Sequence, residues 1–374
     1  MNISDKIPVS RPSISKADIQ AVERAVKSTF IAAGPNVIEF ENKLAEHCGR
    51  KFAVAVSSGT SALLIGLKAF NLPSGSKVLV SSFTIVSALY AIIAGGYIPV
   101  FVDINEKTWN VDECLLDKLV KNDIKAAIIV QTYASSPPMW KIYTMLKKYN
   151  IPMLEDTAEG LGGEDKRKKF GSFGKISILS FYANKLISTG EGGMILTDEK
   201  ELYERACSLR NLFFDKERKF IHRELSGNHR MTNYQAALGL SQLKQIAFFY
   251  NHRKKLYSRY LTLLNDLQEY IQFQYIPKDI KSSYWVFPLL LQRKAHFTAA
   301  QFIEALAEKK VEARHFFYPL DKQPFLPEDY QIDSKISYNL WRDGLYLPLG
   351  NGIKLKEVEK VSQIVRKLLK RGCV

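Results

Sequence analysis

Seven short apolar runs punctuate the first part of this 374-residue chain, and their rhythm restricts the fold more than any other feature. They are Val54–Val56, Val78–Ser81, Val100–Val102, Ala127–Val130, Met153–Glu155, Ile176–Phe181 and Met194–Thr197. Each has the length of a strand. Stretches of helical periodicity separate most of them, as at Cys114–Lys121 and Lys141–Tyr149. Strands that alternate with helices build a largely parallel sheet with helices on both faces, an α/β fold. Ligands of such folds gather at the carboxyl ends of the strands. The ends of these runs are therefore where chemistry is sought.

The run Ile176–Phe181 leads into a turn holding one lysine, Lys185, and then into Thr189-Gly-Glu-Gly-Gly-Met194. Burial disfavours an ammonium ion, so a buried lysine is more often the neutral nucleophile that Schiff-base chemistry requires. Gly190, Gly192 and Gly193 are expected to let the backbone pass close to whatever Lys185 holds. The plainer alternative is an exposed turn lysine before a hairpin.

A second run, Ile151-Pro-Met-Leu-Glu-Asp156, ends in carboxylates, and Thr157-Ala-Glu159-Gly160 follows. A strand-end carboxylate beside a strand-end amine suits pyridoxal phosphate. The lysine takes the aldehyde, and Asp156 pairs with the pyridine nitrogen and keeps the ring an electron sink. The rival role for Asp156 is to cap a following helix. A third run, Ala53-Val-Ala-Val56, passes through Ser57-Ser-Gly-Thr-Ser61 into a helix with Leu63, Leu64, Leu67 and Phe70 on its apolar stripe. The free N–H groups and dipole at a helix start favour an anion, so Gly59, Thr60 and Ser61 form a candidate phosphate cup.

Taken together, these stretches resemble the sugar-nucleotide aminotransferases of PLP fold type I. The residues that carry the resemblance are Ser57-Ser-Gly-Thr-Ser-Ala-Leu63, Glu155-Asp-Thr-Ala-Glu-Gly160, Ser180-Phe-Tyr-Ala-Asn-Lys185 with Thr189-Gly-Glu-Gly-Gly193, and Asn228-His-Arg-Met-Thr-Asn233. Pro12, Gly34-Pro35 with Phe40-Glu41, Ser283-Tyr-Trp285 and Phe317-Tyr-Pro319 add to it. The match spans essentially the whole chain, and the lysine loop is its most specific part.

The resemblance implies a large domain with a mostly parallel mixed sheet and a small C-terminal α+β domain. It implies that Lys185 and Asp156 are catalytic and that Ser180 holds the cofactor phosphate, where the alternative is a core strand serine. Glu159 would contact the hydroxyl of the pyridine ring; otherwise it is an acid in a helix first turn. Asn228 would reach the phosphate of a neighbouring subunit, which implies a homodimer with shared active sites; otherwise it is a loop asparagine. Substrate contacts fall to Arg314, His315, His229 and Tyr318. Arg314 also suits a surface acid, and His229 a packed or exposed loop position. Two departures stand out. The family usually has an aromatic residue in place of Ile85, stacked on the cofactor, and His and Gly where Gln131 and Ala134 stand. Both departures are expected near the ring and the sugar pocket.

Net charge is +15, which attracts anions such as pyridoxal phosphate, a nucleotide diphosphate or nucleic acid. Much of the excess is in clusters such as Lys166-Arg-Lys-Lys169 and Arg366-Lys367 with Lys370-Arg371, which read as solvated faces and a charged hairpin. None is interleaved with aromatics as a single-strand nucleic-acid groove would be. Cysteines 48, 114, 207 and 373 are scattered and argue neither for disulfides nor for zinc, so no metal and a reducing cytoplasm are expected. Met1 to Arg11 has no apolar core, and Ala88–Val102 is broken by Gly95, Gly96 and Pro99, so no signal peptide or membrane span is expected.

Ser15 and Asp18 form a capping pair for a first helix with Ile19, Val22 and Val26 on its apolar face. A second helix covers about Val37 to Cys48. Phe213–Ser226 reads as a basic, aromatic loop, and Thr232–Arg259 as one or two long helices. The domains are set at 1–247, the arm and large PLP-binding domain, and 248–374, the small domain. The last helix, Leu355–Leu369, buries Val358, Val361, Ile364, Val365 and Leu368.

The function expected is transfer of an amino group, from L-glutamate as the amino donor, to a nucleotide-linked 4-keto-6-deoxy sugar. Such a reaction belongs to polysaccharide biosynthesis, as of O-antigen or capsule. The alternatives are a sugar dehydratase, an enzyme for a small keto-phosphate, or a PLP-binding regulator that uses its basic surface. Dehydratases of this family carry histidine in place of the lysine, and this chain keeps Lys185. No helix-turn-helix segment is appended.

Overall fold

All seven apolar runs become strands of one sheet in the computed structural model, which describes residues 6–215, 217–218 and 220–371. The expectations for Met1 to Asp5 and for Cys373 lie outside the described residues. The strands are β1 (Phe52–Val56), β2 (Lys77–Ser81), β3 (Ile98–Val102), β4 (Ile124–Val130) and β5 (Met153–Asp156). A short hairpin, β6 (Glu164–Asp165) and β7 (Lys168–Lys169), precedes β8 (Ile176–Ser180) and β9 (Gly193–Thr197). That hairpin is the charged one read in Lys166–Lys169; Lys166 and Arg167 turn it with positive φ. The sheet order is β1-β9-β8-β5-β4-β2-β3. Every pairing from β8 to β3 is parallel, whereas β9 runs against both β1 and β8.

Helices cover both faces, as the buried strands require. They are α1 (Lys16–Lys27), α2 (Pro35–Cys48), α3 (Gly59–Ala69), α4 (Val86–Ala94), α5 (Glu113–Leu119), α6 (Met139–Lys148), α7 (Lys200–Arg210), α8 (Asn233–Leu243) and α9 (Ile246–Leu264). On one face Val54, Val56, Leu154 and Ile178 pack with Leu63 and Leu67 of α3. On the other, Ala53, Ala55, Leu179 and Leu196 pack with Phe40 and Leu44 of α2 and Ala236 of α8.

α9 then carries the chain from one core to another. Its Phe249 belongs to the core under α2, and its Leu256, Tyr257, Tyr260 and Leu264 belong to the C-terminal core. There β10 (Ile271–Phe273), β12 (Phe287–Leu291), β13 (Arg314–His315) and β14 (Gly344–Leu347) form an antiparallel sheet, and β11 (Ile280–Lys281) joins the charged hairpin instead. α10 (Ala299–Glu308), α11 (Lys335–Asp343) and α12 (Leu355–Arg371) complete it. Val358, Val361 and Val365 of α12 are buried, with Ile364 and Leu368 packed at their edge. Ile7, near the other end of the chain, joins this core. No helix among the described residues is long and apolar enough to cross a membrane.

The arm corrects one expectation. Ser15 and Asp18 do form a capping box on α1, but Ile19 and Val26 are 60% and 50% exposed. The helix instead turns Asp18 and Ala25 inward. Asp18 accepts hydrogen bonds from Ser15 and from Gln242 and Gln245, at the end of α8 and just beyond it. A satisfied buried carboxylate therefore sets the rotation of α1, against its apolar pattern.

Glu155, at the end of β5, has a different task from its neighbour. Its carboxylate is fully buried and accepts from Gln131 Nε2, from the N–H groups of Gly171, Phe173 and Gly174, and from Ser177 Oγ, all at 2.8–3.1 Å. It fastens the turn before β8 to the sheet. Glu155→Ala leaves these donors buried without partners, at ~1–3 kcal/mol each before relaxation. The expected result is a fall in Tm of roughly 5–10 °C, read by thermal unfolding at neutral pH.

Candidate active site

Three strand ends meet a helix start at one cavity of about 320 Å³. The helix is α3. Ser58 caps it, its Oγ accepting from the Ser61 N–H at 3.1 Å, and Gly59 and Thr60 face the cavity. β8 ends against it at Ser180. A side chain at Gly59 would bring its Cβ within 2.9 Å of Ser180 Cβ, so glycine alone lets the two meet. Ser61 is beside the cup rather than in it, since its Oγ lies near Ser57 Oγ and 3.1 Å from His229 Nδ1.

The glycine loop also has work within the protein. Gly193 passes close to the Ser58 carbonyl at the rim of the cup, with no room for a Cβ, Gly192 packs on Thr189 and Met231, and Gly190 turns with a positive φ into open space.

Lys185 stands in the turn after β8, and its amine lies 3.9 Å from the centroid of the Trp285 ring. Burial lowers its proton affinity, the charge of Arg253 adds to this, and Glu159 and Asp156 oppose it. Asp156 is buried at the end of β5, and burial raises its carboxyl to about 6 against the pull of the Ala158 N–H and Lys185. It caps no helix, because residues 158–162 form turns. Its Oδ1 accepts from the Ala158 N–H at 3.0 Å. Glu159 accepts from the Tyr133 N–H at 2.8 Å, and burial raises it to about 7.

The other expected residues divide. Arg314 lines the cavity from the edge strand β13, as does Ile85 from the start of α4. His315 neighbours Arg314 on that strand and is exposed. Tyr318 packs edge-on against Trp341, 4.8 Å between centroids, and does not line the cavity. Asn228 is exposed on its own chain and bridges to Asn211. Gln131 corrects an expectation: it is fully buried behind the cavity, its amide given to Glu155. Ala134 is likewise buried, in the small-domain core.

Sequence reasoning passed over the cavity's aromatic wall. Tyr133 stacks on Phe317 and Trp285, with interplanar angles of 18° and 15°, and its hydroxyl accepts from the Phe317 N–H. Its backbone has φ 62, unusual for a bulky residue. The motifs containing Tyr133 and Trp285 were visible, but nothing in them said that the two rings would meet.

A second cleft, of about 550 Å³, opens at the opposite ends of the strands around Arg50, Lys168 and Asp198. Its cations are already engaged. Arg50 donates to the carbonyls of Ser172, Gly174 and Lys175, and Lys168 lies over the rings of Trp140 and Phe173.

The cavity at the carboxyl ends fits pyridoxal phosphate on its own chemistry. The helix start against Ser180 suits a phosphate, the buried Asp156 lacks a cation within hydrogen-bond reach and suits a pyridinium, and Lys185 supplies the amine. Comparison with known proteins agrees. GDP-perosamine synthase of Escherichia coli O157:H7 is 34% identical over 343 residues, covering 91% of this chain and 93% of that protein. GDP-perosamine synthase of Caulobacter vibrioides is 30% identical over 357 residues, covering 95% and 96%. The solved structure of the Helicobacter pylori aminotransferase PseC, involved in the biosynthesis of pseudoaminic acid, superposes with a TM-score of 0.91 at 28% identity over 98% of this chain and all of that one. Residues 12–366 match a family profile over nearly their whole length, and on that match the chain belongs to the DegT/DnrJ/EryC1/StrS aminotransferase family and is an aminotransferase with pyridoxal phosphate as its cofactor.

Proposed function

We propose that this enzyme moves an amino group from L-glutamate to a nucleotide-linked 4-keto-6-deoxy sugar, with Lys185 as the reacting amine and Asp156 as the pyridine partner. One observation carries the reading. A buried amine, a buried carboxylate and a helix start converge on one cavity, at the ends of β5, β8 and β1. The similarity to perosamine synthases supports the sugar-nucleotide acceptor, and we assign the enzyme to polysaccharide biosynthesis, as of O-antigen or capsule, in the cytoplasm.

Bound pyridoxal phosphate supplies an aldehyde for covalent attachment of amines and a ring that withdraws electrons. The protein supplies the rest. Gly59, Thr60 and Ser180 hold the phosphate, with Ser61 behind them, and Asp156 keeps a positive charge at the base of the site. Glu159, anchored by the Tyr133 N–H, faces the ring hydroxyl. Lys185 Nζ takes up and returns the proton at the substrate carbon, a task suited to an amine whose proton affinity is lowered by burial. Arg314 meets the acceptor's diphosphate or sugar, with His315 beside it on β13; His229 stands by Ser61 at the cup, and Tyr318 packs on Trp341 outside the cavity lining. We place the division of the chain at residue 247, in the first turn of α9, although Phe249 of that helix still packs in the core under α2.

We assign Asn228 to the active site of a second copy in a homodimer. It is exposed and lies outside its own cavity, and the apolar side chains of Phe220 and Leu225 nearby are 79% and 90% exposed. Ile19, Val26 and Phe30 of the arm are also bare. Surfaces of this kind mark interfaces.

Transfer of isotopic nitrogen from glutamate to GDP- and UDP-linked 4-keto-6-deoxyhexoses tests the reaction; loss of a sugar hydroxyl without nitrogen transfer refutes it. Lys185→Ala is expected to abolish turnover and the yellow colour of the holoenzyme while Tm stays near wild type. Wild-type turnover in that variant ends the assignment. Co-expression of Lys185→Ala with Asn228→Ala chains is expected to recover activity that neither homodimer has, because each hybrid holds one intact shared site. No recovery in isolated hybrids rejects the shared site.

Asp156→Asn keeps the shape and removes the charge. Breaking one side of a buried charge pair costs ~3–5 kcal/mol; if this falls on the barrier, kcat drops on the order of 10²–10³. A turn-capping role alone predicts near-native kcat. The apoprotein gives a second reading. Its raised Asp156 carboxyl stabilises the fold below the ordinary aspartate range, and that contribution is lost as pH rises through about 6. The Tm of apo Asp156→Asn, relative to apo wild type, is therefore expected to rise between pH 4 and pH 7.

A further inference from the structure

Arg253 is a buried cation with no carboxylate to answer it. It stands on α9 and is 1% exposed; burial alone perturbs it, and no acid among the described residues forms an ion pair with it. An uncompensated buried charge is strongly destabilising. Such a group persists when its hydrogen bonds hold something that must not move.

Its hydrogen bonds all go to oxygens around Lys185. Nη2 donates to the carbonyls of Asn184 at 3.0 Å and Lys185 at 2.7 Å. Nη1 donates to the carbonyl of Trp285 at 3.3 Å, and Nε to Asn351 Oδ1 at 2.6 Å. Asn351 in turn donates to the carbonyl of Leu186 at 2.8 Å. Three successive carbonyls of the lysine turn are thus gripped from the small domain. The ring over the Lys185 amine belongs to Trp285, whose own backbone hangs on the same guanidinium. Backbone pairing closes this turn at its base, where Tyr182 bridges to Gly190 and Phe181 bonds to Gly192 and Thr189, and the guanidinium holds carbonyls at its tip, Asn184 and Lys185.

The same charge acts on the amine. Asp156 from β5 and Glu159 from the turn after it favour a proton on Lys185, and Arg253 from α9 disfavours one. Arg314 from β13 and Tyr346 from β14 complete the polar lining on the small-domain side.

We propose that Arg253 is a positioning residue for this reaction. It locks the Lys185 turn to Trp285 and Asn351 across the two domains, and its charge adds to burial in disfavouring a proton on the amine, against Glu159 and Asp156. The proposal rests on Lys185 being the reacting amine, which Lys185→Ala tests by itself.

The test separates charge from grip. In the apoprotein, reductive methylation of Lys185 is followed against pH by mass spectrometry of its peptide, and no turnover is needed. Arg253→Gln is expected to move the midpoint of that profile to higher pH; Arg253→Lys, which keeps the charge, is expected to leave it in place. In the holoenzyme both variants are expected to lose ~10–100-fold in kcat, as a misplaced reacting group does, with the KM for the amino donor changed less than threefold. Amide exchange of residues 184–187 is expected to quicken in both. An unchanged midpoint in folded Arg253→Gln, or kcat within twofold of wild type in Arg253→Lys, overturns the proposal. Should Arg253→Gln fail to fold, Asn351→Ala takes its place for the grip; unchanged exchange at 184–187 and unchanged kcat there overturn it equally. A failed midpoint test leaves Lys185 as the reacting amine.

Discussion

The active site depends on one strand that runs the wrong way. β9 lies antiparallel between β1 and β8, and Gly193 at its start stands opposite both Val56 and Ser180. The chain therefore leaves β8 at the carboxyl edge of the sheet, makes the turn that carries Lys185, and re-enters at the same edge. A parallel strand would have needed a crossover and would have taken the lysine loop elsewhere. Because β9 also pairs with β1, the loop's return lands beside Ser57 and Ser58, where α3 begins. Cup and lysine become neighbours through a hydrogen-bond ladder, not through contacts between their side chains.

Within that frame, charge is arranged by burial. Asp156 and Glu159 are each deprived of water, and burial raises the carboxyl of each above the ordinary carboxylate range. Lys185 is deprived of water too, and the two acids restore only part of its affinity for a proton. Groups arranged so that none is strongly committed to its ion respond to a new charge in the cavity. A pyridinium and a phosphate supply such charges. Glu155, one residue from Asp156, shows the contrast: five donors close around it, and it has structural work only.

Much of this was legible in the chain. The seven runs, the cup, Asp156 and Lys185 are each local signals, apolar runs followed by special residues at their ends. What could not be read depends on partners distant in sequence. The direction of β9 is not written in Met194–Thr197, which is apolar like the strands of the sheet that run the other way. The rotation of α1 follows from Gln242 and Gln245, more than 200 residues on. Arg253 sits in His252-Arg-Lys-Lys255 and looks like one more solvated cation. Only the fold reveals that its side chain turns inward, against the usual preference of arginine for the surface.

The two departures from the family pattern now part company. Gln131 faces Glu155 and the turn below the sheet, so its exchange for histidine is answered there, by packing and hydrogen bonds away from any ligand. Ile85 stands on the cavity wall at the start of α4 and is 39% exposed, so its exchange is felt by whatever enters. An aliphatic side chain in place of an aromatic one forgoes stacking of about 0.5–1.5 kcal/mol. The same cavity is lined by the rings of Trp285 and Phe317, each stacked on the buried Tyr133 behind them. Those rings hang from the small domain and from Tyr133 on its strained backbone, and Arg253 anchors the carbonyl of Trp285. Order on this side of the site is therefore supplied from the domain junction, while the α4 side contributes Ile85 where the family pattern has a ring.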